Sequence, residues 1–531
     1  MSSIYLKSIT QTQRVFGVVL WIIFASMLAC VKKPREKSDE QPMYQDPHRP
    51  QFHFTPVSGW MNDPNGMVYL DGEYHLFYQH NPDSTIWGPM HWGHAISKDL
   101  IHWEQMPIAL YPDSLGTIFS GSAVVDEMNT SGLGSPEHPA MVAIFTYHST
   151  EREKAGYNDF QNQGIAYSAD KGRTWKKYER NPIIRNPGKR DFRDPKVFWH
   201  TPSAQWVLVL AAYDHVEFYA SKNLKEWKHL SDFGFFPGEQ GRGWECPDFF
   251  ELKISGSIEK KWVLLVSVNP GAYNGGSGTQ YFIGQFDGKG FQSDPGQTLW
   301  IDYGKDNYAG VTWSNVPKSD ERRLFMGWMS NWQYANVVPT EVWRSAMTIP
   351  RELSLINTDN GIRLASWPVT EIKSLKAGNE VLHTNIMDAA DTASEKISLP
   401  QSGLEINLDI ERDKELNDFE LEFSNPNGEK VLIGLEGRLN QIYLDRDKSG
   451  DVDFSKQFGG RHIGIRQTKN KNLNLTLLLD LSSLELFTDD GTLAMTEIFF
   501  PSERYTQLII RSRTRGIRIK SLRLNLLKSI W

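Results

Sequence analysis

Three acidic residues stand in short segments rich in Pro, Gly and aromatic residues, which restrict the local backbone. They are Asp63 in WMNDPNG, Asp194 in FRDP and Glu245 in WECP. Cleavage of a glycosidic bond needs such carboxyls, because one protonates the leaving oxygen while another attacks or assists at the anomeric carbon. A third acid can hold the hydroxyls of the sugar ring. The residue types therefore predict acid–base chemistry on a sugar.

The three motifs, in this order, resemble glycoside hydrolase family 32, whose invertases, inulinases and levanases cut β-linked fructose. The resemblance implies that Asp63 is the nucleophile, Glu245 the acid/base and Asp194 a transition-state stabiliser that grips ring hydroxyls. Glu245 must start protonated, and the flanking Trp244 and Cys246 are expected to give it an apolar surround that raises its pKa. Taken alone, Asp-Pro-Asn-Gly is also typical of a tight turn.

The same resemblance implies a sugar pocket of amide, hydroxyl, guanidinium and aromatic side chains. Its expected members are Asn62, Gln79, Trp87, Phe119, Ser120, Arg193 and Trp332. Amides and hydroxyls both donate and accept hydrogen bonds, which suits sugar hydroxyls, and Trp offers flat apolar surface. We interpret Cys246 as a small packing group rather than a reactive thiol.

The expected reaction is a retaining double displacement at C2 of a terminal fructosyl unit. Asp63 attacks while Glu245 protonates the leaving oxygen, and Glu245 then activates water; this chemistry requires carboxyls about 5–5.5 Å apart. The segment around Trp332 resembles the exo-acting members. An endo-acting levanase, a non-catalytic fructan-binding protein of the same fold and transfer of fructose to other sugars stay open, as does the choice among levan, inulin and sucrose.

The composition describes an ordinary globular chain, with 40% hydrophobic and 23% charged residues. A net charge of -7 without a dense Lys/Arg cluster argues against a nucleic-acid partner. The segment 445–453 has the Asp spacing and Gly of a calcium loop, but its twelfth position is Lys456 where a bidentate Glu is needed. We expect neither a metal ion nor a cofactor, and the oligomeric state is left open.

The beginning of the chain is typical of a targeting segment. Lys7 and Arg14 precede an uncharged run, residues 15–29, that ends at Cys30. The run is short for a membrane span, which takes about 20 apolar residues, and it fits a secretory h-region. Its end resembles a bacterial lipoprotein cleavage site, which implies lipidation of Cys30 and a place in the cell envelope, on the outer membrane surface or the periplasmic face. An uncleaved anchor helix is the alternative.

Strand signals dominate the rest of the chain. Asp71 and Gly72 separate two apolar runs, as in a two-residue hairpin. A Ser-x-Asp/Asn-turn-Trp pattern then recurs at 97–103, 168–175 and 221–227, each time after an apolar run. Such recurrence is what successive β-propeller blades produce, and the family resemblance implies five blades.

The composition changes near residue 360, where Trp almost vanishes. Apolar and polar residues alternate strictly over 404–411 and 419–423, which predicts antiparallel sheets packed as a β-sandwich. We therefore expect an all-β protein. Its expected parts are a signal peptide over 1–30, a flexible tether over 31–48, a five-bladed propeller over 49–358 and a β-sandwich over 359–531.

Overall fold

Antiparallel strands form almost all of the regular structure in the computed structural model, which describes residues 44–531 except 136, 236, 388–393 and 415–416. The expected signal peptide, Cys30 and the tether as far as residue 43 lie outside the described residues. Within those described ranges, no helix has the length and apolar character needed to span a membrane.

Five sheets form the blades of the predicted β-propeller. The first two blades hold β1 (Gly59–Leu70), β2 (Glu73–Asn81), β3 (His91–Ser97) and β4 (Trp103–Leu110), then β5 (Thr117–Val125), β6 (Met141–His148), β7 (Gln161–Ser168) and β8 (Lys176–Lys177). The third holds β9 (Phe192–His200), β10 (Gln205–Ala212), β11 (Val216–Ser221) and β12 (Lys228–Phe233). The fourth holds β13 (Trp244–Lys253), β14 (Lys260–Val268), β15 (Gly278–Phe286), β16 (Phe291–Ser293) and β17 (Leu299–Trp300).

The fifth blade is built from β18 (Tyr308–Thr312), β19 (Arg323–Met329), β21 (Ala346–Met347), β22 (Arg351–Thr358) and β23 (Gly361–Pro368). Between β19 and β21 the chain leaves this blade, and β20 (Trp343–Arg344) pairs in parallel with the start of β1. This pairing ties the last blade to the first and closes the ring.

The recurring Ser–Trp pattern marks one turn in three successive blades. Ser97, Ser168 and Ser221 end β3, β7 and β11, where the third strand turns into the fourth. Each hydroxyl donates to the side-chain oxygen two residues later, at 3.1, 2.7 and 3.3 Å. The pattern therefore is the blade repeat that the sequence predicts.

Two six-stranded sheets pack as the predicted sandwich. One runs in the order β24 (Lys376–Met387), β35 (Ile517–Leu527), β26 (Gly403–Arg412), β31 (Leu473–Leu479), β32 (Ser483–Thr488) and β33 (Leu493–Ile498). The other runs β25 (Ser394–Ser398), β34 (Gln507–Ser512), β27 (Phe419–Ser424), β28 (Lys430–Glu436), β29 (Gln441–Lys448) and β30 (Arg461–Ile465). The alternating apolar residues of β26 and β27 lie in one core cluster between the sheets.

The propeller extends further along the chain than expected. We predicted its end at residue 358, but β23 pairs with β22 along its whole length and so belongs to the fifth blade. The first sandwich strand, β24, begins only at Lys376. The transition therefore falls between Pro368 and Lys376. As the hairpin partner of β22, β23 stays in the fifth blade, although Trp is already rare in this part of the sequence.

Helical structure in the described chain is confined to short segments. They are α1 (Thr150–Lys154) and 3-10 turns at Thr201–Ser203, Ala335–Val337, Thr370–Leu375, Gly437–Leu439 and Asp489–Gly491. Of these, α1 joins β6 to β7 beside the site described below.

Buried charges join the propeller to the sandwich. Arg351 of β22 donates to Asp302 at 2.9 Å and contacts Glu485 of β32, and all three side chains are buried. His53 contacts Asp480 and Glu485, each at 2.9 Å. Burial alone would lower the pKa of His53, but the hydrogen bonds to the two carboxylates outweigh it and raise that pKa to about 9.

Candidate active site

The first strand of every blade has a β-bulge at the same end. These strands contact one another around the propeller axis, and their register shifts between Met61 and Pro64, Phe119 and Gly121, Arg193 and Lys196, Glu245 and Asp248, and Tyr308 and Val311. A bulge bends its strand and re-aims a side chain. The five bulges bring Asp63, Ser120, Asp194, Glu245 and Tyr308 together at one end of the axis.

A cavity of about 240 Å³ lies at this end, and every predicted catalytic and sugar-pocket residue lines it. They are Asn62, Asp63, Gln79, Trp87, Phe119, Ser120, Arg193, Asp194, Glu245 and Trp332. The structure thus collects in one place residues from all five blades that are far apart in the sequence.

Donors on both carboxylate oxygens fix Asp63. Asn62 donates to Oδ1 at 2.9 Å and Ser120 to Oδ2 at 2.7 Å, while the Cys246 thiol lies 3.4 Å from Oδ2. Asn62 is itself held by the indole N–H of Trp60 at 2.6 Å. Burial raises the pKa of Asp63, and the hydrogen bonds from Ser120 and Asn62 oppose that rise. The carboxylate is therefore held in one orientation.

Asp194 has left-handed backbone geometry, with φ +62°. Its backbone N–H donates to Thr146 at 3.0 Å, and its Oδ2 accepts from the backbone N–H of Cys246 at 3.0 Å. Burial raises the pKa of Asp194 to about 7; the Arg193 charge opposes this, and the charges of Glu245 and Asp63 add to it. The fold thus holds Asp194 in an environment that disfavours its ionised form.

Glu245 has polar rather than apolar contacts, contrary to our expectation. Its carboxylate accepts from the Arg193 guanidinium at 2.6 Å and from the Tyr308 hydroxyl. The Trp244 ring is fully buried in the fold's core, and the Cys246 thiol points at the other two acids. Because successive side chains of a strand point to opposite faces, sequence neighbours do not surround Glu245.

Cys246 is more than the packing group that we expected. It is buried, has φ +45°, and places Sγ 3.4 Å from Asp63 and 3.6 Å from Asp194. Burial, together with the nearby carboxyl charges, raises the pKa of its thiol well above the ordinary value. Cys246 therefore stays protonated and can donate to the acids beside it.

Aromatic rings form part of the cavity wall. Trp332 stacks on Trp60 with ring centres 5.9 Å apart, and Phe119 stacks on His148 at 4.2 Å. Trp87 meets Phe119 edge-on at 6.1 Å and is 41% exposed. These rings give the cavity an apolar part in addition to its carboxyls.

Two buried amides on the wall have atoms without a protein partner. Within the described structure, the side-chain nitrogen of Gln79 donates no hydrogen bond and the side-chain oxygen of Gln161 accepts none. Both residues are 2% exposed. A buried polar group left unpaired costs about 1–3 kcal/mol, so a ligand offering one acceptor and one donor would satisfy both.

Several residues of the site were not found from the sequence. His148, Glu153, Gln161 and Asp191 also line the cavity. The Tyr308 hydroxyl contacts the carboxylate of Glu245, and the Thr146 hydroxyl accepts from the backbone N–H of Asp194. Only Asp191 carried a signal, because it lies two residues before Arg193, whose guanidinium donates to it at 2.5 Å. The others lie on strands or, for Glu153, on α1, in segments without a motif, and only the packing of the blades brings them here.

One group of potential metal ligands occurs in the described part of the chain, away from this cavity. It consists of His215, Glu217 and Asp232 and does not include the 445–453 segment. The carboxylate of Glu217 is in contact with the Lys189 ammonium and the Tyr219 hydroxyl. These contacts already balance its charge.

Comparison with known proteins agrees with this geometry. The chain matches the glycosyl hydrolases family 32 N-terminal domain over residues 53–368 and the family's C-terminal domain over 371–525. It is 45% identical to a levanase of Bacillus subtilis, over 99% of this chain and 76% of that protein. The two family matches together cover most of the chain.

Solved structures resemble both domains. The exo-inulinase from Aspergillus awamori has a TM-score of 0.83 and 35% identity, covering 92% of this chain and 100% of that one. A variant fructofuranosidase from Schwanniomyces occidentalis complexed with fructosylnystose has a TM-score of 0.83 and 33% identity, covering 93% of this chain and 100% of that one. This chain is therefore a glycosidase and belongs to glycosyl hydrolase family 32.

Proposed function

We propose that this protein is an exo-acting, retaining β-fructosidase that releases fructose from the ends of β-fructans. The observation that carries the proposal is the small cavity that both Asp63 and Glu245 line. The names of the similar levanase and exo-inulinase, and the fructosylnystose complex of a similar fructofuranosidase, support a fructan substrate.

The proposed chemistry has two displacements. Asp63 attacks C2 of the terminal fructosyl unit while the leaving oxygen takes a proton from Glu245, which gives a fructosyl ester on Asp63. Glu245 then removes a proton from water, the water oxygen bonds to C2, and the bond to Asp63 breaks. Two inversions leave the β configuration unchanged. Asp194 accepts hydrogen bonds from ring hydroxyls as charge develops.

The unpaired amides support a sugar as the occupant. Gln79 offers a donor and Gln161 an acceptor on the same cavity wall, and a sugar hydroxyl can both donate and accept. A water-excluding aromatic side at Trp332 and Phe119 fits the apolar face of a ring. The cavity of about 240 Å³ is small, which favours one terminal sugar over a chain passing through.

Product analysis on levan, inulin and sucrose tests the proposal. We expect free fructose to be the main product from the earliest times, because one terminal unit is removed at each turnover. A ladder of fructo-oligosaccharides with little free fructose would show endo action. Binding of fructan without any product would overturn the proposal altogether.

We also propose that Cys30 carries a lipid that holds the enzyme in the cell envelope. The support is the charged start, the short apolar run and the small residues that precede Cys30. Cys30→Ser should move the protein from the membrane fraction to the soluble fraction. A variant that stays in the membrane with its first residues intact would show an uncleaved anchor helix instead.

A further inference from the structure

A second, larger cavity shares a wall with the first. It measures about 610 Å³ and is lined by Arg190, Asp191, Arg193, Tyr213, Arg242, Gly243, Glu245 and Asn269. Asp191, Arg193 and Glu245 line both spaces. If Glu245 protonates the leaving oxygen, the leaving part of the substrate lies next to its carboxylate, which borders this second cavity.

Tyr213 is fixed in this second cavity by its backbone. Its N–H donates to the carbonyl of Asp191 at 3.2 Å, and its carbonyl accepts from the N–H of Trp244 at 2.5 Å. The residue has φ +67°, a conformation that residues other than Gly rarely adopt. Such strain persists only where the surroundings impose it. The Tyr213 backbone is thus held between the segments that carry Arg193 and Glu245.

The Tyr213 ring is open to solvent although its backbone is fixed. It is 48% exposed, and none of the described residues makes a ring contact or hydrogen bond with it. Nearby, the Arg242 guanidinium forms no hydrogen bond or ion pair with the described part of the chain. An exposed aromatic face on a fixed backbone, beside a guanidinium with free N–H donors, suits a sugar, whose C–H face packs on a ring while its hydroxyls accept.

We infer that Tyr213 and Arg242 form a docking surface for the leaving part of a β-fructan chain, beyond the terminal sugar. The inference rests on the proposed function and deepens it, because it assigns the second cavity to polymeric rather than minimal substrates. Tyr213 supplies the stacking face, and Arg242 binds hydroxyls of the adjoining sugars.

Substrates that differ only in the leaving group test this. We would compare kcat/KM on long inulin or levan chains with kcat/KM on β-fructosyl fluoride, whose leaving group is one atom. Tyr213→Ala should lower the fructan value about three- to tenfold relative to the fluoride value, through KM, because one aromatic contact is lost. Tyr213→Phe keeps the ring and should restore most of the loss.

The matched control is Tyr273→Ala, which removes another tyrosine of similar exposure, 46%, that does not line the cavity. It should change neither value. Equal losses on both donors for Tyr213→Ala, no loss on fructan, or the same loss for Tyr273→Ala would each overturn the inference. A wild-type enzyme that consumes neither donor would instead refute the proposed function itself.

Discussion

The candidate site holds more carboxyl groups than its single guanidinium can neutralise. Asp63, Asp194 and Glu245 converge on a space with one guanidinium, that of Arg193. Burial raises the pKa of Asp63 and of Asp194. Ionising these acids at neutral pH therefore weakens the folded state, as expected where binding and catalysis need charges that stability does not.

Asp194→Asn should make the protein more stable and less active. The folded pKa of Asp194 is about 7, above an unfolded value of roughly 3.9, so the folded state binds this proton more tightly. Its stability therefore falls as pH rises from about 4 to 7. At pH 8 the variant should gain on the order of 2–4 kcal/mol, and the gain should shrink toward pH 5. Thermal unfolding across this pH range measures it; a variant less stable than wild type at pH 8 would contradict the assignment.

Replacing Asp63 or Glu245 by Ala should lower kcat by several orders of magnitude, with little change in folding. The two variants should differ on a donor whose leaving group needs no proton. Glu245→Ala keeps the nucleophile and lacks the acid, whereas Asp63→Ala lacks the nucleophile itself. Such a donor should partly rescue Glu245→Ala and not Asp63→Ala. Wild-type kcat in either variant, on fructans and on sucrose, would refute the roles.

The bulges at the starts of the first strands are the elements that make the site. Gly66 lies in the irregular part of β1, with φ +58°. A Cβ there would come within 2.6 Å of Trp92 and 2.8 Å of Phe77, which are both buried. The glycine thus lets β1 pass close to the core while it carries Asp63 three residues earlier.

Gly66→Ala should therefore destabilise the protein and reduce its activity. Positive φ costs an alanine about 1–2 kcal/mol, and overpacking adds about 1–3 kcal/mol. Gly256→Ala is the control, because Gly256 has φ +75° but no atom within 4 Å of a new Cβ. Denaturation midpoints and kcat/KM of the two variants should separate strain from overlap. Equal effects would show that the packing around Gly66 is unimportant.

Local chemistry explains which elements could be predicted from the sequence. The hairpin at Asp71–Gly72, the Ser–Trp turns and the alternation in β26 each depend on neighbouring residues, and the structure confirms them. The ten predicted cavity residues were found through the catalytic motifs and the family resemblance that those motifs carry. Tyr308 and Gln161 were missed because their places depend on bulge register and blade packing, and neither leaves a local pattern.

The propeller and the sandwich are held together by buried charge as well as apolar packing. Residues Pro47–Trp531 form one compact unit. At the junction, Arg351 is fully buried and its guanidinium is shared by Asp302 and Glu485. A buried ion pair adds little net stability when intact, but removing one partner leaves an uncompensated charge. The two domains should therefore unfold together.

Arg351→Met should lower the free energy of unfolding by about 3–5 kcal/mol. The buried Asp302 would lose the cation paired with it, and Glu485 would keep only His53. Lys260→Met is the control; its 2.7 Å pair with Glu251 is exposed and should matter by less than about 1 kcal/mol. Calorimetry of both variants measures this. An unchanged transition in Arg351→Met would refute the role of this junction.

The central claim is that Asp63 forms a covalent bond to fructose in the pocket that Glu245 serves. Slowing deglycosylation should let this bond accumulate, so Glu245→Ala can be mixed with β-fructosyl fluoride, quenched within one turnover and digested for peptide mass spectrometry. We predict one fructosyl group, located on Asp63. A label on another side chain, or no label while fructose is released with inverted configuration, would contradict the account.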